Sequence, residues 1–338
     1  MSFSTTVSFS AEIASLSLEN FFKKNKIQSE LPVNLTLSNK HLTLNDNYTN
    51  SAAPELVVFS DLLLGDLLSL QSTCHLKIEA LTTINIRNNQ TSYRFKVSCN
   101  DFIKSRKAIA DFALANKIEA ALIQNAPKLK EPGLLVMDMD STTIEIECID
   151  EIAKLAGVGE QVSAVTELAM QGNLDFSQSL HQRVATLTNA PEKILAEVAK
   201  NIPLMAGLET LISELKKNNW RIAVASGGFT YFADHLKEML DLDATFANVL
   251  EIVDGKLTGK VLGNIVDAQV KADSLRLLSE KYEIPQAQTV AMGDGANDLI
   301  MMAAANFGVA FHAKPIVLAQ ADSSINQQGL DCLLHWLA

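Results

Sequence analysis

The sequence predicts an α/β chain: a Rossmann-like parallel sheet with an inserted helical cap, preceded by a small α+β domain. Three observations support this. Short apolar runs at Leu134–Met137, residues 221–225 and residues 289–292 each end in a polar, Gly-rich or Asp-rich turn, as buried parallel strands do. Between the first two runs, residues 147–217 show helical periodicity and no convincing strand, far more chain than a crossover helix needs. Ahead of residue 127, β-type runs at residues 56–59, 75–86 and 92–98 mix with helical stretches at residues 11–24 and 101–116.

The boundary between the two parts falls near Pro127, where Pro127 and Pro132 bracket a Lys-rich stretch. Residues 1–126 then form the α+β domain and residues 127–338 the α/β domain, with the cap at about 147–217. Breaks within the cap are expected near Gly157, Gly172 to Asn173, and Pro191. A chain of 338 residues accommodates two such domains.

Composition narrows the function classes. Hydrophobic residues make up 48% of the chain and charged residues 20%, the balance of a self-folding globular enzyme. The formal charge of −11, with no basic stripe, argues against nucleic acid as a partner. An acidic chain that binds phosphate esters must supply cations locally. Cys74, Cys99, Cys148 and Cys332 are widely spaced, without zinc-ligand or disulfide-framework spacing, and read as reduced thiols. Residues 1–25 lack a basic start followed by an apolar run, and no stretch of about 18 apolar residues occurs, so a cytoplasmic protein without membrane association is expected.

In open α/β sheets the site lies beyond the carboxyl ends of the strands. The first such turn is Asp138-Met139-Asp140-Ser141-Thr142-Thr143. Alternate side chains of an extended chain share a face, so Asp138 and Asp140 can reach one small volume. Two carboxylates there repel unless a cation or proton intervenes, which permits one to stay ionised as a nucleophile while the other carries a proton as general acid. Taken alone, D-x-D serves equally as a turn or helix cap. The second turn, Ser226-Gly227-Gly228, offers backbone N–H groups and a hydroxyl to an anion, although a Gly-Gly pair is often only a turn. The third, Gly293-Asp294-Gly295-Ala296-Asn297-Asp298, brings two more carboxylates. Asp138 and Asp294 with waters favour a small hard cation such as Mg²⁺, with Asp298 as outer support or helix-start residue.

In this order and spacing, D-M-D-S-T-T, S-G-G, a lysine and G-D-G-A-N-D resemble the haloacid dehalogenase superfamily of phosphotransferases. Within it, residues 132–338 look like the bacterial phosphoserine phosphatases that carry an extra N-terminal domain. Further cues are Glu145 to Glu151, Leu174-Asp175-Phe176 with Arg183, Phe229 after the Gly-Gly turn, and Ala313-Lys314-Pro315. The resemblance implies hydrolysis of phosphoserine to serine and phosphate, the last step of serine biosynthesis. It implies that Asp138 attacks phosphorus, that Asp140 protonates the leaving oxygen and then activates water, and that Asp138, the Asp140 carbonyl and Asp294 hold Mg²⁺. Ser226, Gly227 and Lys271 would hold the phosphoryl group, with Asn297 beside them. Lys271 and the metal are then the local cations an acidic enzyme requires.

Phosphoserine also presents an ammonium and a carboxylate. The matching positions are Glu147 for the first and Arg183 for the second, whose planar fork suits a carboxylate. Without the resemblance, Glu147 reads as a first-turn helix acid and Arg183 as a surface ion-pair partner. Met170 and Phe176 match the cap's apolar wall, positions that otherwise read as plain core. Two other readings remain: transfer of the phosphoryl group to or from another small ester or alcohol, and a serine sensor without turnover. The N-terminal domain is expected to be regulatory or to form a homodimer.

Overall fold

A computed structural model describes residues 4–26, 31–46, 48, 53–59, 61–170 and 174–338, and the chain divides into two compact units. The first comprises Met1–Ala126 together with Asp322–Ala338, the second Pro127–Ala321. The junction falls at Pro127, but the last stretch of chain, which the sequence assigned to the α/β domain, lies with the N-terminal unit. The expected break at Gly172 to Asn173 lies outside the described residues.

The first unit runs β1 (Ser4–Ser8), α1 (Ala11–Ala14), α2 (Leu18–Lys24), β2 (Val33–Leu37), β3 (His41–Asn45), β4 (Glu55–Phe59), α3 (Leu64–Thr73), β5 (Leu76–Arg87), β6 (Gln90–Cys99), α4 (Phe102–Asn116) and β7 (Ala120–Ile123). The strands pair antiparallel in the order β1-β3-β2-β5-β6-β4-β7. Buried and more exposed residues alternate along β2 and β3, so one face packs on a core of Leu18, Phe21, Phe22, Leu35, Leu42 and Phe95. Ser10, Ser17 and Asp101 each accept a backbone N–H at a helix start, which fixes where α1, α2 and α4 begin.

The second unit begins with β8 (Leu134–Met137), whose side chains are all shielded from water, and continues into the cap helices α5 (Cys148–Ala156), α6 (Gly159–Met170), α7 (Phe176–Thr186) and α8 (Lys193–Ala199). The outgoing and returning chains are bonded to each other: Ile144 bridges Leu204, Glu145 N–H donates to Pro203 O at 3.0 Å, and Met205 N–H donates to Thr143 O at 3.0 Å. The insertion therefore closes at Leu204. The next helix, α9 (Leu208–Lys217), which the sequence had placed in the cap, buries Leu208, Leu211, Ile212 and Leu215 and is the crossover to β9 (Arg221–Phe229). There follow α10 (Thr230–Leu240), β10 (Ala244–Val253), β11 (Lys256–Leu262), α11 (Ala268–Lys281), β12 (Thr289–Gly293), α12 (Leu299–Ala304), β13 (Phe307–Phe311) and α13 (Pro315–Leu318).

In this unit β10, β9, β8, β12 and β13 pair parallel in that order, with β11 antiparallel at the edge. The β10–β11 hairpin turns on Asp254 and Gly255, both at positive φ, as a tight two-residue turn requires. Because β8 lies between β9 and β12, the turns that follow these strands are neighbours in space.

The tail adds α14 (Leu333–Trp336) to the first unit. Buried Glu119 accepts backbone N–H bonds from Asn326, Gln327 and Gln328 at 2.8–3.2 Å. Arg94, also buried, donates to the carbonyls of His335, Trp336 and Leu337 at 3.1, 3.0 and 2.7 Å and pairs with Glu55 at 2.5 Å. These carbonyls belong to the end of a helix, where no intrahelical donor remains, so the guanidinium caps it. Among the described residues no helix is long and apolar enough to cross a membrane.

Candidate active site

Three strand ends meet at a cavity of about 300 Å³. Its lining includes Asp138, Asp140, Glu147, Phe176, Arg183, Ser226, Gly227, Asp294 and Asn297, so nearly every residue singled out from sequence converges there. Lys271 lies behind this lining rather than in it: its ammonium pairs with Asp138 Oδ1 at 2.8 Å and Asp298 Oδ1 at 2.7 Å. The side chain of Met170 lies outside the described residues.

Asp138 emerges from β8, where its N–H donates to Met292 O of β12 at 2.9 Å. Met139 N–H donates to Asp138 Oδ1 at 2.8 Å. Both protein bonds to the carboxylate fall on Oδ1, and Oδ2 has no protein partner among the described residues. Behind it, the Thr143 hydroxyl donates to Asp138 O at 2.5 Å and ties the turn shut. Lys271 is 1% exposed and Asp298 0%, so this is a buried charge cluster. Burial opposes the lysine charge, yet Asp138 and Asp298 beside it hold its pKa above the ordinary lysine range.

Asp140 is in a different situation. Burial first, then the charges of Glu147 and Asp138, push its pKa up to about 8. The Cys148 N–H donates to Asp140 Oδ1 at 3.2 Å, and the buried Cys148 thiol also bonds this carboxyl, which partly offsets the rise. The neighbouring pair thus divides as a D-x-D pair can: Asp138 salt-bridged, Asp140 disposed to carry a proton near neutral pH.

Ser141 adopts a left-handed φ of 57°, unusual for a residue with a side chain, and its hydroxyl donates to Glu147 Oε1 at 2.8 Å. Glu147 is solvent-exposed on its outer side, yet its carboxyl is crowded. Partial desolvation raises its pKa, Ser141 opposes that, and Asp138 and Asp294 add to it. Arg183, on α7, faces the same cavity. Burial lowers its pKa while Glu147, Asp150 and Asp140 support its charge, and its Nε is buried without a partner. An unpartnered buried guanidinium donor is costly unless a ligand supplies the acceptor.

The glycine turn is shaped by close neighbours. A Cβ on Gly227 would lie 2.5 Å from the Phe176 ring, and one on Gly228 would lie 2.8 Å from Asp140 Oδ2. Phe176, the first residue of α7 after the Asp175 capping box, is thus packed onto the turn rather than into a helix core. Gly228 N–H donates to Ser226 Oγ at 2.8 Å.

Carboxylate oxygens of Asp138, Asp294 and Asp298 lie within 4.8 Å of one another. This all-oxygen donor set fits a hard divalent cation and lacks the nitrogen or sulfur that zinc prefers. Asp298 has both oxygens engaged, Oδ1 by Lys271 at 2.7 Å and Oδ2 by Gly295 N–H at 3.0 Å. Asp294 has its pKa raised by burial and by Asp138, with Lys314 and Lys271 opposing.

Sequence reasoning missed Thr166 and Leu180 in the cavity wall, and it used Asp150 and Lys314 only as parts of motif cues. It also missed Asn248 behind the glycine turn. Helical spacing from Glu147 could have placed Asp150 in the wall; Asn248 has no local signal.

A profile of the haloacid dehalogenase-like hydrolases matches residues 133–306. The chain is 58% identical over 216 residues to a phosphoserine phosphatase of Vibrio cholerae, covering 64% of this chain and 66% of that one. It is 56% identical over 239 residues to a phosphoserine phosphatase of Haemophilus influenzae, covering 71% and 74%. The unliganded crystal structure of a probable phosphoserine phosphatase from Vibrio cholerae superposes with a TM-score of 0.70 at 45% identity, over 84% of this chain and 86% of that one. With its acid and glycine turns at three adjacent strand ends and the profile spanning them, the chain belongs to the haloacid dehalogenase-like hydrolases.

Proposed function

We propose that the protein is a phosphoserine phosphatase that works through an aspartyl-phosphate on Asp138. The observation that carries this is the composition of one cavity: a carboxylate cluster with Lys271 behind it, and Glu147 with Arg183, whose buried Nε has no partner, in its wall. A ligand matching that wall bears an ammonium and a carboxylate as well as a phosphate. The phosphoserine phosphatase relatives agree with this reading, and four free cysteines suit the cytoplasmic setting it expects.

Asp138 Oδ2 forms the bond to phosphorus as the bond from phosphorus to the serine oxygen breaks. Asp140 gives its proton to that oxygen, and serine leaves as the neutral alcohol. The Asp140 carboxylate then takes a proton from water, whose oxygen attacks phosphorus and releases inorganic phosphate and free Asp138. Ser226, the Gly227 backbone and Asn297 hold the phosphoryl oxygens, and Lys271 adds positive charge from behind Asp138. Positioning and charge neutralisation of this kind supply most of the acceleration in phosphoryl transfer. Mg²⁺, held by Asp138, the Asp140 carbonyl and Asp294, would neutralise phosphoryl charge when bound.

The test is a turnover screen of phosphoserine, phosphothreonine, phosphoethanolamine and sugar phosphates with Mg²⁺ and no acceptor alcohol. Phosphoserine should give the highest kcat/KM, with serine and phosphate released one for one. Preference for a substrate lacking the carboxylate would reject the assignment of Arg183. Tight serine binding without turnover would replace the enzyme with a sensor.

A further inference from the structure

The peptide between Gly227 and Gly228 is flanked on both sides by residues without a Cβ, so sterics alone would let it turn over. Its orientation bears on Ser226. Because Gly228 N–H donates to Ser226 Oγ at 2.8 Å, that oxygen is held as an acceptor and its own proton is left to donate elsewhere. On the other side of the same peptide, Gly227 O accepts from Asn248 Nδ2 at 2.8 Å. In a planar trans peptide the carbonyl and the N–H point in opposite directions, so fixing one aims the other.

Asn248 is well placed to do this. It is 1% exposed, and its Oδ1 accepts from Val266 N–H at 2.8 Å, which dictates that Nδ2 faces Gly227. The pairing of β9 with β10 runs regularly through Ala225 and Phe246 and resumes at Phe229 and Asn248, so Ser226, Gly227 and Gly228 stand opposite the single residue Ala247. The turn is thrown out of the ladder, and its carbonyl needs a donor from outside the ladder. Val266 immediately precedes Asp267, the N-cap of the helix that carries Lys271. Asn248 does not line the cavity.

We propose that Asn248 is a positioning residue for the phosphoryl pocket: it locks the peptide between Gly227 and Gly228 so that the Ser226 hydroxyl proton points to the phosphoryl oxygens. This rests on the role given to Ser226 above. If Asn248 acts through Ser226, removing it matters only while the Ser226 hydroxyl is present, and that dependence separates positioning from general packing.

The experiment is a double-mutant cycle of Asn248→Ala and Ser226→Ala in the full-length protein with saturating Mg²⁺. It reads kcat/KM for phosphoserine and the inhibition constants of inorganic phosphate and serine. Ser226→Ala should lower kcat/KM about 100-fold, as loss of an oxyanion donor does. Asn248→Ala should lower it about 10-fold, and the double variant should fall no more than about 3-fold below Ser226→Ala. Phosphate should bind more weakly to Asn248→Ala while serine inhibition stays unchanged. Losses that multiply, or a serine constant that moves with the phosphate constant, would overturn the proposal and leave Ser226 in place. A Ser226→Ala variant with full activity would overturn the role of Ser226 itself. Should Asn248→Ala not fold, Asn248→Asp keeps the acceptor for Val266, removes the donor to Gly227 and takes its place in the cycle with the same criteria.

Discussion

Two buried charged clusters, one in each unit, solve the same problem in opposite ways. In the first unit Glu119 and Arg94 are taken out of water, but the backbone surrounds them: three N–H groups face the carboxylate, and three carbonyls and Glu55 face the guanidinium. In the second unit Asp138, Asp140, Asp294 and Asp298 crowd together with Lys271 as the buried cation among them. In the first cluster burial also raises the Glu119 pKa and Arg94 Nε is buried without a partner, but each charged group there is countered by backbone groups or an opposite charge. The second carries an excess of negative charge and raised carboxyl pKa values, which only a further cation, a proton or a ligand relieves. Neither burial of charge nor a single unmatched atom is the mark of a site; like charge left uncompensated around one cavity is.

Changes in the uncompensated cluster should cost activity, and changes in the compensated one should cost stability. The largest effect is expected for Asp138→Asn, since an amide is no nucleophile here: turnover should fall by more than about 10⁴-fold, with no acid-stable, alkali-labile phosphoenzyme on rapid acid quench. The fold should survive because Lys271 retains Asp298. A phosphorylated Asp138→Asn protein would remove this residue from its role.

Arg94→Met comes next, on the other side of the comparison. It leaves Glu55 and three carbonyls without their shared donor, and losses of about 3–5 kcal/mol are usual when one partner of a buried pair is removed. Denaturant unfolding followed by Trp336 fluorescence in a Trp220→Phe background should show the transition of the first unit moved to lower denaturant. An unmoved transition would mean that the clasp is not holding the tail.

Arg183→Ala should lower kcat/KM for phosphoserine by about 100-fold, as loss of a charge-assisted bidentate contact does, and leave p-nitrophenyl phosphate within about 3-fold. Equal losses on both would take Arg183 out of substrate selection.

The smallest effect is a pH dependence. His335 is buried against Arg87, Arg94 and Ser92, and burial together with the Arg87 charge lowers its pKa from 6.5 to about 4. The unfolded chain then binds the proton more readily between these values. The contribution of a neutral His335 to stability is whole above pH 6.5 and is lost as pH falls toward 4. Between pH 7 and 4.5, stability should fall more steeply in the unaltered protein than in His335→Asn. Parallel slopes would show that other groups account for the acid sensitivity.

Much of the second unit was legible because its information is local. An apolar run followed at once by Asp138 and Asp140, or by Gly293 and Asp294, states both a strand and what stands at its end. The helix Phe102–Asn116 was readable from its spacing, and the end of the cap was not, because Ile144 and Leu204 meet only through the fold. Lys271 could be given a role by resemblance, yet its position behind the cavity, shared by Asp138 and Asp298, depends on how α11 packs. Asn248 carried no sign at all.

What the sequence by itself determined is the set of buried strands, the acid and glycine turns at their ends, and the junction at Pro127, because backbone preference and hydrophobic period act over a few residues. Only the tertiary structure decided which side chains would be left short of partners. Whether Arg183 Nε, Glu119 or Asn248 finds a donor or acceptor depends on chain brought in from distant positions. The tail's place with the N-terminal unit was decided in the same way, by Glu119 and Arg94 reaching backbone groups more than 200 residues away.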